Sequence, residues 1–164
     1  MGAPLKCGQV AGPRDTMFEV SIGASEVFID LSGHFVSFDG SGRAEVVADA
    51  AVNISGWLET NAETKSSTEG ADKGTLNPST DAVYLMPACK GAAAAEAAVS
   101  EAELIAVIGE TCDIARPASN VQYANIALSV DDVLLVVGYE YYGSTLGQQF
   151  VKVKVIPRVA LPTG

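Results

Sequence analysis

The chain is short of the residues that carry chemistry. It has a single histidine, His34, a single tryptophan, Trp57, and three cysteines in 164 residues. Cys7, Cys89 and Cys112 lie far apart and form no CxxC pair, so neither a zinc knuckle nor a dithiol redox motif is written here. Reduced, mostly buried thiols are the expected state. Cationic residues are scarce as well. Ten Lys and Arg stand against twenty Asp and Glu, a net charge of −10. Phosphate backbones need a cationic surface, so nucleic acid is excluded as the main partner. No window approaches the 18 uninterrupted apolar residues of a spanning helix, so no membrane partner is expected. The first ten residues lack the apolar run of a secretory signal, and Lys6 stands where a myristoylation motif needs Ser or Thr.

What is present is alternation. In Gln149–Ile156, Val151, Val153 and Val155 fall on one side of an extended chain, and Lys152 and Lys154 on the other. Similar patterning runs through residues 16–59 and 104–158. Apolar residues make up 48% and charged residues 18%, with 16 Gly and 7 Pro, a globular β-type composition. Strands are expected at 16–22, 26–31, 34–39, 43–48, 51–59, 82–86, 111–115, 121–128, 133–142 and 149–156. Ser32-Gly33 reads as a hairpin turn, and Gly56 as a bulge or close backbone approach beside Trp57. Residues 1–14, with Pro4, Gly8, Gly12 and Pro13, read as an extended arm. Residues 60–81 hold one large apolar side chain, Leu76, and read as a long polar surface loop. Ser100-Glu-Ala-Glu103 matches a capping box, which opens a short helix in 100–109 that ends at Gly109. The alanine-rich 92–98 is left unassigned between helix and loop. The fold class is therefore all-β: one antiparallel β-sandwich or barrel domain over 15–164, with one short helix and an N-terminal arm.

Catalytic sets are not assembled by this pattern. His34 lies near Ser32, Asp30 and Asp39, but a triad needs an oxyanion hole and a nucleophile elbow, so His34 reads as an exposed turn residue. Asp131-Asp132 lacks the patterned loop of a calcium site and reads as an acidic turn. No catalytic residue, metal site or cofactor is expected, and an enzyme ranks last among the functions. Interface candidates stand out more clearly. Tyr139, Tyr141, Tyr142 and Trp57 sit at strand ends, and such aromatics bury large area while keeping a polar handle. Lys6 and Arg14 precede the first acidic residue, and Lys152, Lys154 and Arg158 follow the last one, Glu140. An acidic body with basic ends is arranged to meet an acidic partner surface.

Two stretches carry a resemblance. One runs from Val27-Phe-Ile-Asp-Leu-Ser-Gly-His-Phe-Val36 through Ala48-Asp-Ala-Ala-Val-Asn-Ile-Ser-Gly-Trp57. The other is Ile108-Gly-Glu-Thr-Cys-Asp-Ile114, followed by Val133-Leu-Leu-Val-Val-Gly138 and the closing alternating strand. Together they cover a little more than half of the chain, which resembles the capsid decoration, or cement, proteins of tailed bacteriophages. Residues 60–81 and the alanine-rich segment have no counterpart there. The resemblance implies a structural protein on the outer capsid surface of the virion. Its partners would be the major capsid protein shell and, as a homotrimer, itself. The competing reading is a carbohydrate- or host-receptor-binding module that uses 60–81 and Tyr139, Tyr141 and Tyr142.

Overall fold

The computed structural model describes residues 7–14, 16–29, 33–49, 53–91, 97–127 and 130–157. Eleven strands and one helix follow in chain order: β1 (Gly8–Ala11), β2 (Phe18–Ser21), β3 (His34–Phe38), β4 (Ala44–Val46), β5 (Gly56–Glu59), β6 (Lys73–Asn77), β7 (Val83–Cys89), α1 (Glu101–Ala106), β8 (Thr111–Ala115), β9 (Tyr123–Asn125), β10 (Leu134–Tyr141) and β11 (Gln149–Val155). They form two curled sheets, an all-β sandwich of barrel-like halves. The first has the order β1-β7-β11-β10-β8-β9, and β9 also pairs with β7 through Ala88–Ala124 and Cys89–Asn125. That pairing closes β7, β11, β10, β8 and β9 into a ring and leaves β1 as an outer strand on β7. The second sheet has the order β2-β6-β5-β3-β4. Its two edges meet at an Ile22–Ala44 bridge, where the Gly23 N–H donates to the Ala44 carbonyl at 2.9 Å.

Alternation works as expected where a strand has one wet face. In β11, Val151, Val153 and Val155 are buried while Lys152 and Lys154 are half-exposed. It fails in β3 and β5, which are buried on both sides. Val36 and Leu58 fill the interior of the second sheet with Val20, Ile22, Phe28 and Leu76. Their neighbours Phe35 and Trp57 point the other way, into the core shared with the first sheet. There Phe35 meets Trp57 edge-on at 4.9 Å and Tyr84 at 5.1 Å, and Trp57 stacks on Tyr84 at 5.2 Å. Aromatic pairs in these geometries gain energy beyond their buried area. Gly56 allows β5 to approach β6: a Cβ there would lie 2.4 Å from the Asn77 carbonyl oxygen. The close approach read from the sequence is therefore present.

Four expectations are corrected. Residues 60–81 are not one surface loop, because β6 lies inside them and pairs with both β2 and β5. Most of the rest of that stretch is exposed in its side chains, with Lys65 buried, and it is stitched by its backbone. Phe28 N–H donates to the Glu63 carbonyl, Lys65 N–H to Glu26, and Ser25 N–H to Ser66, at 2.8–3.0 Å. Residues 25–28 thus bond to 63–66 and not to β3, whose two neighbours are β4 and β5, while Ser32 of the expected turn lies outside the described residues. The N-terminal arm is also partly regular: Gly8–Ala11 is β1, hydrogen-bonded to β7. His34 is buried, at 2% exposure, with Nε2 accepting the Ile29 N–H at 3.2 Å and its ring stacked on Phe28. The capping box at Ser100 and Glu103 is formed, and the helix ends at Ala106.

Candidate functional site

The interface candidates separate into three groups. Trp57 is removed from the surface: it is 2% exposed and sits between the sheets. Its size and place at a strand end mark an interface residue and a core residue alike, and burial of β5 on both faces decides for the core. Lys6 and Arg158 lie outside the described residues. The remaining candidates are accessible, and the β10–β11 hairpin gathers most of them.

On that hairpin, Tyr139 and Tyr141 are half-buried against the shared core, and Tyr142 is 53% exposed. The Tyr139 hydroxyl donates to Glu101 Oε1 of α1 at 3.3 Å. Partial desolvation, and then the Glu101 carboxylate, raises the Tyr139 phenol above its ordinary pKa, so it stays a donor. Tyr142 packs edge-on to Phe150 at 5.9 Å, and its hydroxyl bonds to the Glu140 carboxylate. Lys152 stands 4.0 Å from Glu140. Lys154 pairs with no carboxylate among the described residues. Gln149 fixes the connection between the strands. It is fully buried, and its amide donates to the Gly143 and Thr145 carbonyls.

The N-terminal strap forms the second accessible group. After β1, the chain crosses from the first sheet to the second, anchored by Gln9. The Asn77 amide donates to Gln9 Oε1 at 2.8 Å, and Gln9 Nε2 donates to the Gly12 and Pro13 carbonyls. Arg14 then pairs with Glu59 of β5 at 2.6 Å, leaving its side chain 51% exposed. Val10 and Phe18, on either side of it, are 51% and 47% exposed. Large apolar side chains that stay open next to an arginine match the composition of protein interfaces.

Three buried polar residues brace the fold and were not singled out by sequence reasoning. Asp113 of β8 accepts the N–H groups of Val130, Asp131 and Asp132 at 2.9–3.0 Å. The acidic turn is thus built around a third carboxylate. Gln122 donates to the Phe35 and Val47 carbonyls and accepts the Phe35 N–H, each at 2.9 Å, which joins the two sheets. Lys65 lies over the Phe28 ring at 5.6 Å and pairs with Glu63 at 2.7 Å. The available signal was an Asp or Gln amid apolar strand residues, where such side chains are depleted. Cys89 and Cys112 are buried and form no disulfide, and burial pushes the Cys112 thiol up to about 12, which keeps it protonated.

Among the described residues, no three His, Cys, Asp or Glu side chains converge as a metal would require. No helix there is long and apolar enough to cross a membrane. Comparison with protein-family models, with curated proteins and with solved structures returned no significant match.

Proposed function

We propose that this is a structural virion protein that docks on the outside of an icosahedral phage capsid, as a trimer, and cements neighbouring capsid subunits. The N-terminal strap carries the reading. It ties the two sheets together and still leaves Val10, Phe18 and Arg14 open to a partner. The half-exposed Lys152 and Lys154 supply cationic contacts for an acidic shell on an otherwise acidic body. A protein that binds only the assembled shell stabilises it by mass action, and three linked copies add avidity.

Virions from the source culture should contain this chain at a copy number comparable to the coat subunit, measured by quantitative mass spectrometry. Deleting residues 1–14 is a poor probe, because it removes β1 and the Gln9–Asn77 bond along with the exposed groups. The sharper variant is Phe18→Ser combined with Arg14→Ala. It should fold normally and lose cosedimentation with stripped shells by tenfold or more. A chain absent from virions, or a double variant that sediments like the parent, would refute the docking role.

A further inference from the structure

Beside the β10–β11 hairpin lies an open cleft of about 480 Å³, walled by Lys90 at the end of β7, Val99 and Ser100 before α1, Glu103 on α1, Tyr141 on β10 and Ser144 on the hairpin loop. We infer that this cleft binds a neutral saccharide of one or two rings. The inference is independent of the capsid reading.

Its walls are held before any ligand arrives. Lys90 and Ala97 exchange two backbone hydrogen bonds at 3.1 Å, and Lys90 Nζ meets Glu103 Oε1 at 2.6 Å. Ser100 and Glu103 are locked to each other by the capping box. Gln149 fixes the loop that presents Ser144 through its bonds to the Gly143 and Thr145 carbonyls. A site held in this way loses little entropy on binding. The volume lies within the usual range for small-ligand clefts, roughly 300–1,000 Å³.

Charge selects the ligand. The Lys90 ammonium is compensated by Glu103, and Glu101 stands on the same short helix, so an anion gains nothing here. Neighbouring Lys90 also disfavours a cation. Phosphate is disfavoured at the helix end, because the capping box occupies the Ser100 and Glu103 N–H groups and the Glu101 and Glu103 carboxylates stand in the first turn. What remains open is neutral hydrogen bonding beside an aromatic wall. The Tyr141 and Ser144 hydroxyls bond to no described residue, Lys90 commits one of its three donors to Glu103, and Glu103 keeps spare lone pairs. A pyranose offers hydroxyls to these groups and a face of weakly positive C–H bonds to the electron-rich Tyr141 ring.

The test is saturation-transfer NMR on the full chain with methyl α-glucoside, N-acetylglucosamine and maltose, and with glucose 6-phosphate as the anionic control. At least one neutral sugar should show transfer to its ring protons with millimolar affinity. Glucose 6-phosphate should bind no better than the glucoside. Because Tyr141 also packs against the core, Tyr141→Ala is paired with Ser144→Trp, which fills the cleft from an exposed position. Each should cut affinity by tenfold or more, while Tyr142→Ala leaves it unchanged. The inference is overturned if no neutral sugar shows transfer, if the phosphate binds more tightly, or if Ser144→Trp binds like the parent. Virion association should be unaffected by Ser144→Trp, so failure here and failure of capsid docking are read separately.

Discussion

The two curled sheets are closed by different means. In the first, β7 and β9 complete a ring of backbone hydrogen bonds, and the interior continues without a break into the shared core. In the second, one bridge joins the edges, and the opening is covered by residues 60–72, with Lys65 lying across Phe28. The first is locked by its ladder and the second by a stitched cover. Side chains at the second sheet's centre face two cores at once, whereas β11 of the first keeps a wet face carrying Lys152 and Lys154. The exposed groups proposed for binding therefore gather on the hairpin of the first sheet and on the strap that joins it to the second.

The sharpest way to break this picture is to remove the side chain that both sheets share. Trp57→Ala leaves a cavity beside Phe35 and Tyr84 and should cost about 4 kcal/mol. The loss should appear as a shift of one cooperative urea transition. Two separated transitions would show that the sheets unfold independently and that the shared core couples them little. Asp113→Ala is confined to the first sheet. It strands three N–H groups at the turn before β10 and should cost about 3 kcal/mol, read by the same titration. A cost near zero would show that water replaces the carboxylate and that the turn is not held from β8.

The parts of this architecture that could be read from residues alone are those with one buried face. β11 shows the period-two pattern because solvent demands Lys at alternate positions. The capping box is legible because Ser100 and Glu103 act within one turn. The second sheet was harder. Phe35-Val36 and Trp57-Leu58 are consecutive apolar pairs, which periodicity cannot orient. β6 escaped because its pattern is Lys-Gly-Thr-Leu-Asn. At Gly74 a Cβ would lie 2.9 Å from Leu58 Cγ, so the position that would have shown an apolar side chain has none. Its other inward groups are Leu76 and the buried Asn77, whose amide is satisfied by Gln9, far away in sequence. His34 resembled a turn residue because its acceptor role toward Ile29 is invisible without the fold. At the surface, the hairpin tyrosines and lysines were legible by residue type, while the buried Asp113, Gln122 and Gln149 gave no motif.

The smallest effect distinguishes the sheets by the sign of their pH dependence. Glu26, beside the second sheet, is raised above its ordinary value of 4.5, by burial first, with the Val46 N–H and Arg116 opposing. A raised carboxyl contributes most to stability in acid and loses that contribution as pH climbs through its folded pKa. Glu103, beside the first sheet, is lowered to about 2, mainly by the Lys90 ion pair and then by the Ser100 N–H. Its contribution is present above 4.5 and is lost as pH falls toward 2. Glu26→Gln keeps an amide oxygen for the Val46 N–H and removes a charge that burial disfavours. It should therefore raise the urea midpoint slightly at neutral pH and match the parent in acid. Glu103→Gln should lower the midpoint at neutral pH and converge with the parent only near pH 2. Both shifts should stay below those of Trp57→Ala and Asp113→Ala, since Glu103 is 40% exposed and solvent screens its pair. Shifts of the same sign would mean that the cover over the second sheet is no drier at Glu26 than the open cleft is at Glu103, and the contrast between ladder and cover would fail at its most sensitive point.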